Sequence, residues 1–354
     1  MEKVLSIIIP TYNMEKYLDK CLTSLIIDNN DLMKKLEVLI IIDGAKDRSS
    51  EIGHSYQDKY PETFRVIDKE NGNYGSCINR GVKEATGTYV KILDADDSFD
   101  NVNFSHFLEA LLSLQTVVDV VFSRYRTVDV DGSIVNEFSR PFKANTTLTW
   151  DNVQESLANK ATHTAMHEIA FRRQLLLDMH YQQTEGISYT DQEWVFYPFL
   201  NTKTFYYFDL IIYNYLVGRV GQTMDFSVIV KSVPAHLIIG NRMLNWFKNI
   251  QHDVASYQYL YADILWFLIH IYSLCLICKE DGLNLVELTE LDEELKKTNK
   301  ALYKALDDTT ICVIRLLNVH YIHWWRNSKK RNILPLKNRL LVKILKRNRI
   351  ECDV

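Results

Sequence analysis

The sequence has no surplus of positive charge: 41 Lys and Arg stand against 45 Asp and Glu, a formal net charge of -4. That balance excludes the global basic signature of a nucleic-acid binder. A dense cysteine framework is absent too. Six cysteines lie scattered at Cys21, Cys77, Cys275, Cys278, Cys312 and Cys352, unlike a small disulfide-stapled secreted domain. Reduced thiols in a cytoplasmic setting are therefore expected. Cys275 and Cys278 lack a second ligand pair at zinc-like spacing and sit in an apolar run, so they read as core. The chain shows no internal repeat and no low-complexity segment. No charged segment followed by a long apolar one opens it, so no secretory leader is expected. The most apolar long stretch, Tyr259 to Cys278, carries Asp263 and His270 and reads as a core helix rather than a membrane span.

The composition is that of an ordinary globular protein, 47% hydrophobic and 24% charged over 354 residues, with room for one large domain and a smaller one. The first third alternates short apolar runs with helical periodicity. The runs Val4 to Ile9, Leu36 to Ile42, Phe64 to Ile67 and Thr88 to Leu93 read as strands. Helices are expected through Tyr17, Leu18, Cys21, Leu22 and Leu25, capped near Asn13, then over Ser49 to Tyr60 and Asn79 to Ala85. Strands buried on both faces and separated by helices imply an α/β layer with a mostly parallel sheet. Val117 to Ser123 and Phe205 to Tyr215 read as further strands, with a hairpin-type turn at Asp131-Gly132. Beyond Pro234 the pattern is helical to the end. The expected division is a catalytic domain over 1–232 and a helical C-terminal domain over 233–354.

In parallel sheets, ligands sit beyond the carboxyl ends of the strands. Here each strand end carries polar residues: Thr11-Tyr12-Asn13, Asp43-Gly44, Asn71-Gly72-Asn73 and Asp94-Ala95-Asp96-Asp97. These four loops are expected to converge on one cleft. In an extended segment residues two apart point the same way, so Asp94 and Asp96 can face one ligand together. Clustered carboxylates repel unless something offsets their charge, and a hard cation such as Mg²⁺ or Mn²⁺ does so with oxygen ligands. Such a cation can stabilise charge on a departing diphosphate. The competing reading is an acidic turn that caps the following helix.

The block Ser6-Ile-Ile-Ile-Pro-Thr-Tyr-Asn13, with Glu15-Lys-Tyr-Leu18 after it, resembles the opening of the bacterial-type family 2 inverting glycosyltransferases. Val38-Leu-Ile-Ile-Ile-Asp-Gly-Ala-Lys-Asp-Arg-Ser49, Lys69-Glu-Asn-Gly-Asn-Tyr-Gly-Ser-Cys-Ile-Asn-Arg-Gly81 and Lys91-Ile-Leu-Asp-Ala-Asp-Asp97 resemble that family's next three blocks. Four blocks in order over the first hundred residues are far more specific than any one of them. The resemblance implies a GT-A fold, a mixed, mostly parallel sheet flanked by helices, and a UDP-sugar donor. It places Thr11, Tyr12 and Asn13 beside the nucleobase and Asp43 on the uracil or ribose. Asn71, Gly72, Gly75 and Asn79 would form a loop approaching the nucleotide. Asp94, Ala95 and Asp96 would hold diphosphate, with Asp94 and Asp96 as ligands of Mn²⁺ or Mg²⁺. Two departures bear on nucleoside contacts: Ile42 replaces a frequent aspartate and Ala45 a frequent serine.

An inverting transfer also needs a base opposite the leaving group. Glu185-Gly-Ile-Ser-Tyr-Thr-Asp-Gln-Glu-Trp194 resembles the family's acidic motif and aligns Asp191 with the base, although Thr190 stands where many members have glutamate. The bland alternative for Asp191 is a helix cap. Tyr213-Asn-Tyr-Leu-Val-Gly-Arg-Val-Gly-Gln222 resembles the late strand and loop, so Arg219 and Gln222 are candidates for the diphosphate. Arg80 and Lys91 rank below them as phosphate-screening groups. His163 and His167 could contact sugar hydroxyls or metal, but a lone histidine is more often structural, and of the two only His163 is kept as a donor- or acceptor-site candidate. The C-terminus is basic from Lys329 to Arg349, with leucines at near-helical spacing behind Trp324 and Trp325. It suits either an anionic membrane surface or a solvated helix.

These readings lead to a metal-assisted hexosyl- or N-acetylhexosaminyltransferase with a glycan, lipid-linked or protein-linked acceptor, in the cytoplasm or at the inner face of the cell membrane. A nonenzymatic nucleotide-binding partner subunit is the alternative. A nucleotidyltransferase is disfavoured because no glycine-rich basic loop follows the first strand.

Overall fold

The computed structural model describes residues 2–159, 163–219, 228, 231–276, 285–309, 311–314 and 317–327. The chain divides into two compact units, 1–219 and 220–354.

The first unit begins with β1 (Leu5–Thr11), α1 (Leu18–Thr23), α2 (Asn30–Met33), β2 (Leu36–Asp43), α3 (Ser49–Lys59), β3 (Phe64–Lys69), α4 (Asn73–Glu84) and β4 (Tyr89–Ile92). Then come β5 (Ser98–Phe99), α5 (Asn101–Leu112), β6 (Val120–Val128), β7 (Ile134–Phe138), β8 (Thr147–Thr149) and α6 (Trp150–Leu157). It closes with β9 (Ile169–Arg172), α7 (Arg173–Asp178), α8 (Asp191–Phe196) and β10 (Thr204–Leu216). The strands form one sheet in the order β3-β2-β1-β4-β9-β6-β10-β5, with β7 on β6 and β8 on β10. Strands β3, β2, β1 and β4 are mutually parallel, as are β6 and β10, while β9 runs antiparallel to both its neighbours. The sheet is therefore mixed and mostly parallel, flanked by helices.

The apolar runs explain the parallel half. All eight residues of β2 are buried, as are Leu5 to Ile9 of β1, the pattern of strands covered on both faces. Each buried Ile, Leu or Val there contributes about 1.5–3 kcal/mol. The register Thr11↔Ile42 between β1 and β2, and Ile42↔Asp68 between β2 and β3, lines up their carboxyl ends. The polar residues that follow therefore share one edge of the sheet.

Two helix starts differ from expectation. The first helix begins only at Leu18, because Asn13 adopts a left-handed φ of 54° and its side chain accepts from the Lys46 N–H at 2.8 Å instead of capping a helix. Helix α4 begins six residues before Asn79, at Asn73, whose φ of 66° lets the chain turn directly from the strand-end loop into the helix. The turn read at Asp131-Gly132 joins β6 to β7, with Gly132 at φ 85°.

The second unit contains α9 (Val233–Phe247), α10 (Tyr257–Leu276), α11 (Leu285–Thr298), α12 (Lys300–Asp307) and α13 (Tyr321–Asn327). The expectation of helices alone fails here: β11 (Ile311–Ile314) and β12 (Leu317–Val319) form a small antiparallel pair. The run Ile311-Cys-Val-Ile314 is β-branched and apolar, which favours a strand even at four residues. Helix α10 is long and apolar enough to cross a membrane, yet 72% of its apolar window is buried within the protein. Its Tyr272 donates to Asp292 of α11 at 2.5 Å, and Asp292 also pairs with Arg326 of α13 at 2.7 Å. Cys275 is buried, as a core residue should be, whereas Cys278 lies outside the described residues. The basic stretch from Lys329 onward also lies outside them.

Candidate active site

Two groups of polar residues gather at the carboxyl edge of the sheet. The first surrounds Asp43, the last residue of β2. Its Oδ1 accepts from Lys69 Nζ at 2.5 Å and from the Gly72 N–H at 2.9 Å, and its carbonyl accepts from Asn71 Nδ2 at 2.9 Å. Gly44 follows at φ 67°, and a Cβ there would sit 3.0 Å from the Asn71 nitrogen. Only glycine combines that backbone turn with so close a neighbour. Thr11, at the end of β1, is buried and bonds Ile9, whereas Tyr12 is exposed. Thr11, Asp43, Asn71 and Gly72 thus line adjoining strand ends, with Tyr12 open to solvent.

The second group is the aspartate turn after β4. Its three carboxylates have three different environments. Asp94 accepts from the Tyr74 hydroxyl at 2.9 Å, and its backbone N–H donates to the Tyr213 hydroxyl at 3.2 Å. Burial, then Asp96, then Asp191, push its carboxyl up to about 7 despite the Tyr74 bond. Asp96 is held by Arg219, whose Nε and Nη2 both donate to Oδ2, at 3.0 and 2.7 Å. Asp97 is buried and accepts from the Tyr213 hydroxyl at 2.6 Å and the Leu216 N–H at 2.7 Å. That makes it a clamp between the turn and the end of β10. Burial, then Asp96 and Asp94, raise its carboxyl well above the ordinary range.

His167 lies against this turn. Its ring stacks on Tyr215, with centroids 4.5 Å apart, and its buried Nδ1 has no hydrogen-bond partner. Burial, with Lys91 adding to it, pushes the imidazole down to about 3, so it is neutral at physiological pH. A neutral imidazole keeps a free lone pair. Ligand atoms of Asp94, Asp97 and His167 lie within 4.8 Å of one another. Carboxylate oxygens beside a neutral imidazole fit a divalent ion of the Mn²⁺ type. His163, by contrast, supplies its backbone carbonyl to Arg140 at 3.1 Å.

Asp191 is the first residue of α8, and its helix is fixed by the fully buried Trp194, which packs on Phe171 and Tyr181. Burial raises the Asp191 carboxyl, while the backbone N–H groups of Asp191 itself and Gln192 pull it down. It lies close enough to Asp94, Tyr74 and Tyr215 to perturb all three. The segment before it is pinned from both sides. Glu193 accepts from the Thr184 N–H at 2.6 Å and hydroxyl at 2.7 Å. Asn79 receives the Gln183 N–H at 2.7 Å and donates to the Gln183 carbonyl at 3.0 Å and Glu185 at 2.9 Å. A Cβ on Gly75 would meet the Thr184 carbonyl at 2.1 Å, so this close approach requires glycine.

Of the residues picked from the sequence, Asp94, Asp96 and Asp191 come together, with Arg219 on Asp96. Asn79 faces the 183–185 segment rather than the Asp43 group. Gln222 lies outside the described residues. Arg80 pairs with Glu84 at 3.0 Å near the surface. Lys91 is fully buried and donates to the carbonyls of His167 at 2.6 Å and Ile169 at 3.2 Å. Burial pushes its ammonium down to about 7. Tyr74 and Tyr215 lie inside the blocks Lys69–Gly81 and Tyr213–Gln222, but the sequence alone assigns neither of them a role at the aspartate turn. The period-two alternation of Tyr213 and Tyr215 along a strand was the available signal that they share a face.

Residues 6–178 match the family model for glycosyl transferase family 2. This region is a family 2 glycosyl transferase domain. The fold carries the GT-A arrangement: the crystal structure of S. aureus TarS 1–349 in complex with UDP-GlcNAc superposes with a TM-score of 0.63 at 20% identity, covering 97% of this chain and 91% of that one. Among curated relatives, the uncharacterized glycosyltransferase EpsJ of Bacillus subtilis is 35% identical over 121 residues, 34% of this chain and 33% of EpsJ. The minor teichoic acid biosynthesis protein GgaB of Bacillus subtilis is 32% identical over 116 residues, 33% of this chain and 13% of GgaB. The matched segments thus span about a third of EpsJ and less of GgaB.

Proposed function

We propose that this glycosyl transferase domain moves a hexose or N-acetylhexosamine from a UDP-sugar to a hydroxyl of a glycan, glycolipid or glycoprotein by a single inverting displacement. The observation that carries this reading is the placement of Asp191. Its carboxylate lies within electrostatic reach of Asp94 and Tyr74, at the solvent-exposed start of a helix anchored by Trp194. Desolvation by the surrounding protein raises its basicity, which suits a group that must take a proton from an alcohol.

The remaining residues divide the donor between them. Thr11, Tyr12, Asn13, Asp43, Asn71 and Gly72 hold the nucleoside, with Lys69 fixing the Asp43 carboxylate. Asp94 and Asp96, with Ala95 between them, would face the diphosphate and hold Mn²⁺ or Mg²⁺, with Arg219 reaching the phosphates. The cation, when bound, supplies positive charge to the departing diphosphate. Asn79 acts at a distance, holding the segment that leads to Asp191. The UDP-GlcNAc complex of the fold neighbour TarS puts UDP-N-acetylhexosamines first among the donors to try.

The test is a donor-hydrolysis screen over UDP-sugars with Mg²⁺ and with Mn²⁺. Release of UDP from at least one sugar nucleotide, dependent on the cation, is expected. Nucleotide binding without turnover on any donor or acceptor would instead support the nonenzymatic subunit.

A further inference from the structure

Asp96 and Arg219 are joined before any ligand is considered. Both guanidinium bonds fall on one carboxylate oxygen. The pair is mostly shielded, with side-chain exposures of 13% for Asp96 and 19% for Arg219. The guanidinium carbon also lies 5.2 Å from the centre of the Tyr17 ring, a cation–π distance. The neighbouring backbone aims Arg219 at this spot. Leu216 donates to Asp97, Val217 donates to the Val128 carbonyl at 2.8 Å, and Gly218 turns with a φ of 80°. A Cβ on Gly218 would fall 2.9 Å from Asp129 Oδ1, so glycine is needed for the turn that presents Arg219.

We propose that Arg219 and a divalent cation compete for the Asp96 carboxylate, so that the arginine sets the affinity of the site for metal and gives Asp96 up when a donor diphosphate arrives. The inference rests on the donor-site reading above. Its physical basis is charge. A shielded carboxylate already neutralised by a guanidinium has little left to offer a dication, and the two cations would repel at ligand distance. A diphosphate changes the balance, because it can accept the planar guanidinium fork. One exchange would then free Asp96 for the metal and bring Arg219 to the phosphates. Metal binding becomes conditional on the donor, and the two ligands favour each other reciprocally.

The test measures Mn²⁺ binding to the full-length protein by the loss of the free-ion EPR signal, with and without saturating UDP. Arg219→Ala and Arg219→Gln should each bind Mn²⁺ at least about tenfold more tightly than wild type without nucleotide, since neither offers a competing charge. UDP should tighten Mn²⁺ binding strongly in wild type and much less in either variant. Adding Asp96→Asn to Arg219→Gln should remove the gain. Thermal unfolding of each variant checks that the fold is kept, and agreement of the two Arg219 variants guards against a local defect in one. Unchanged or weaker Mn²⁺ binding in both variants overturns the proposal, as does an equal effect of UDP on all proteins. If wild type binds UDP with Mn²⁺ in that case, the donor-site reading stands without the competition. If no protein binds Mn²⁺ or UDP, both fall.

Discussion

Replacing Asp191 with asparagine is expected to lower sugar transfer by about 10²–10⁴-fold, the contribution of a positioned general base, with UDP binding unchanged. The substitution keeps the size of the side chain and an oxygen that can still accept from the backbone N–H of Gln192, one of the groups that bond Asp191. Trp194 continues to anchor the helix. Only the ability to take a proton is lost. The pH dependence should agree. Burial is the largest influence on Asp191 and raises its carboxyl, so the basic form appears at a higher pH than in an unperturbed aspartate. Wild-type transfer should rise with pH through that raised value, and the Asp191→Asn residual rate should lack this limb. Steady-state rates at saturating donor, paired with calorimetric titration of UDP, check both parts. Full transfer by the variant would remove Asp191 from the mechanism.

Replacing Asp96 with alanine should cut cation-dependent donor turnover by about 10²–10³-fold, in keeping with the several kcal/mol that a metal supplies to a leaving diphosphate. Asp96 is the informative member of the turn because its carboxylate meets a single protein partner, Arg219, among the bonds described. Asp97 would be a poor choice. Its loss would strip the Tyr213 hydroxyl and the Leu216 N–H of their acceptor, and a buried donor left unpaired costs about 1–3 kcal/mol of stability. The measurement is UDP release against Mn²⁺ concentration. In Asp96→Ala the cation response should flatten toward the metal-free rate of wild type. A normal response would move the cation to Asp94, Asp97 and His167 alone.

Much of this site could be read from sequence because it rests on local signals. Buried runs such as Leu36 to Ile42 end in polar residues, and parallel strands bring those ends to one edge. The partners of each carboxylate are another matter. Tyr74 reaches Asp94 across 20 residues, Tyr213 reaches Asp97 across 116 and Arg219 reaches Asp96 across 123. Pattern periodicity carries no information at that range. Lys91 shows the same limit. A lysine beside an acidic turn suggests phosphate, yet as a strand residue of β4 it points under the sheet edge and holds the His167 and Ile169 carbonyls. Asn79 sits in a nucleotide-like loop by sequence, but α4 starts early enough to turn its side chain toward Gln183. The β11–β12 pair is hard to read from sequence because strands of three and four residues are easily absorbed into a helical neighbourhood.

The central claim is a single displacement at the anomeric carbon with Asp191 on the face opposite the diphosphate. It can be tested without knowing the acceptor, because water can take the acceptor's place. The measurement is proton NMR of the sugar released from the best UDP-sugar donor, recorded before the anomers equilibrate. The account predicts that the first-formed sugar has the anomeric configuration opposite to the donor's. A first product with the donor's own configuration would contradict it.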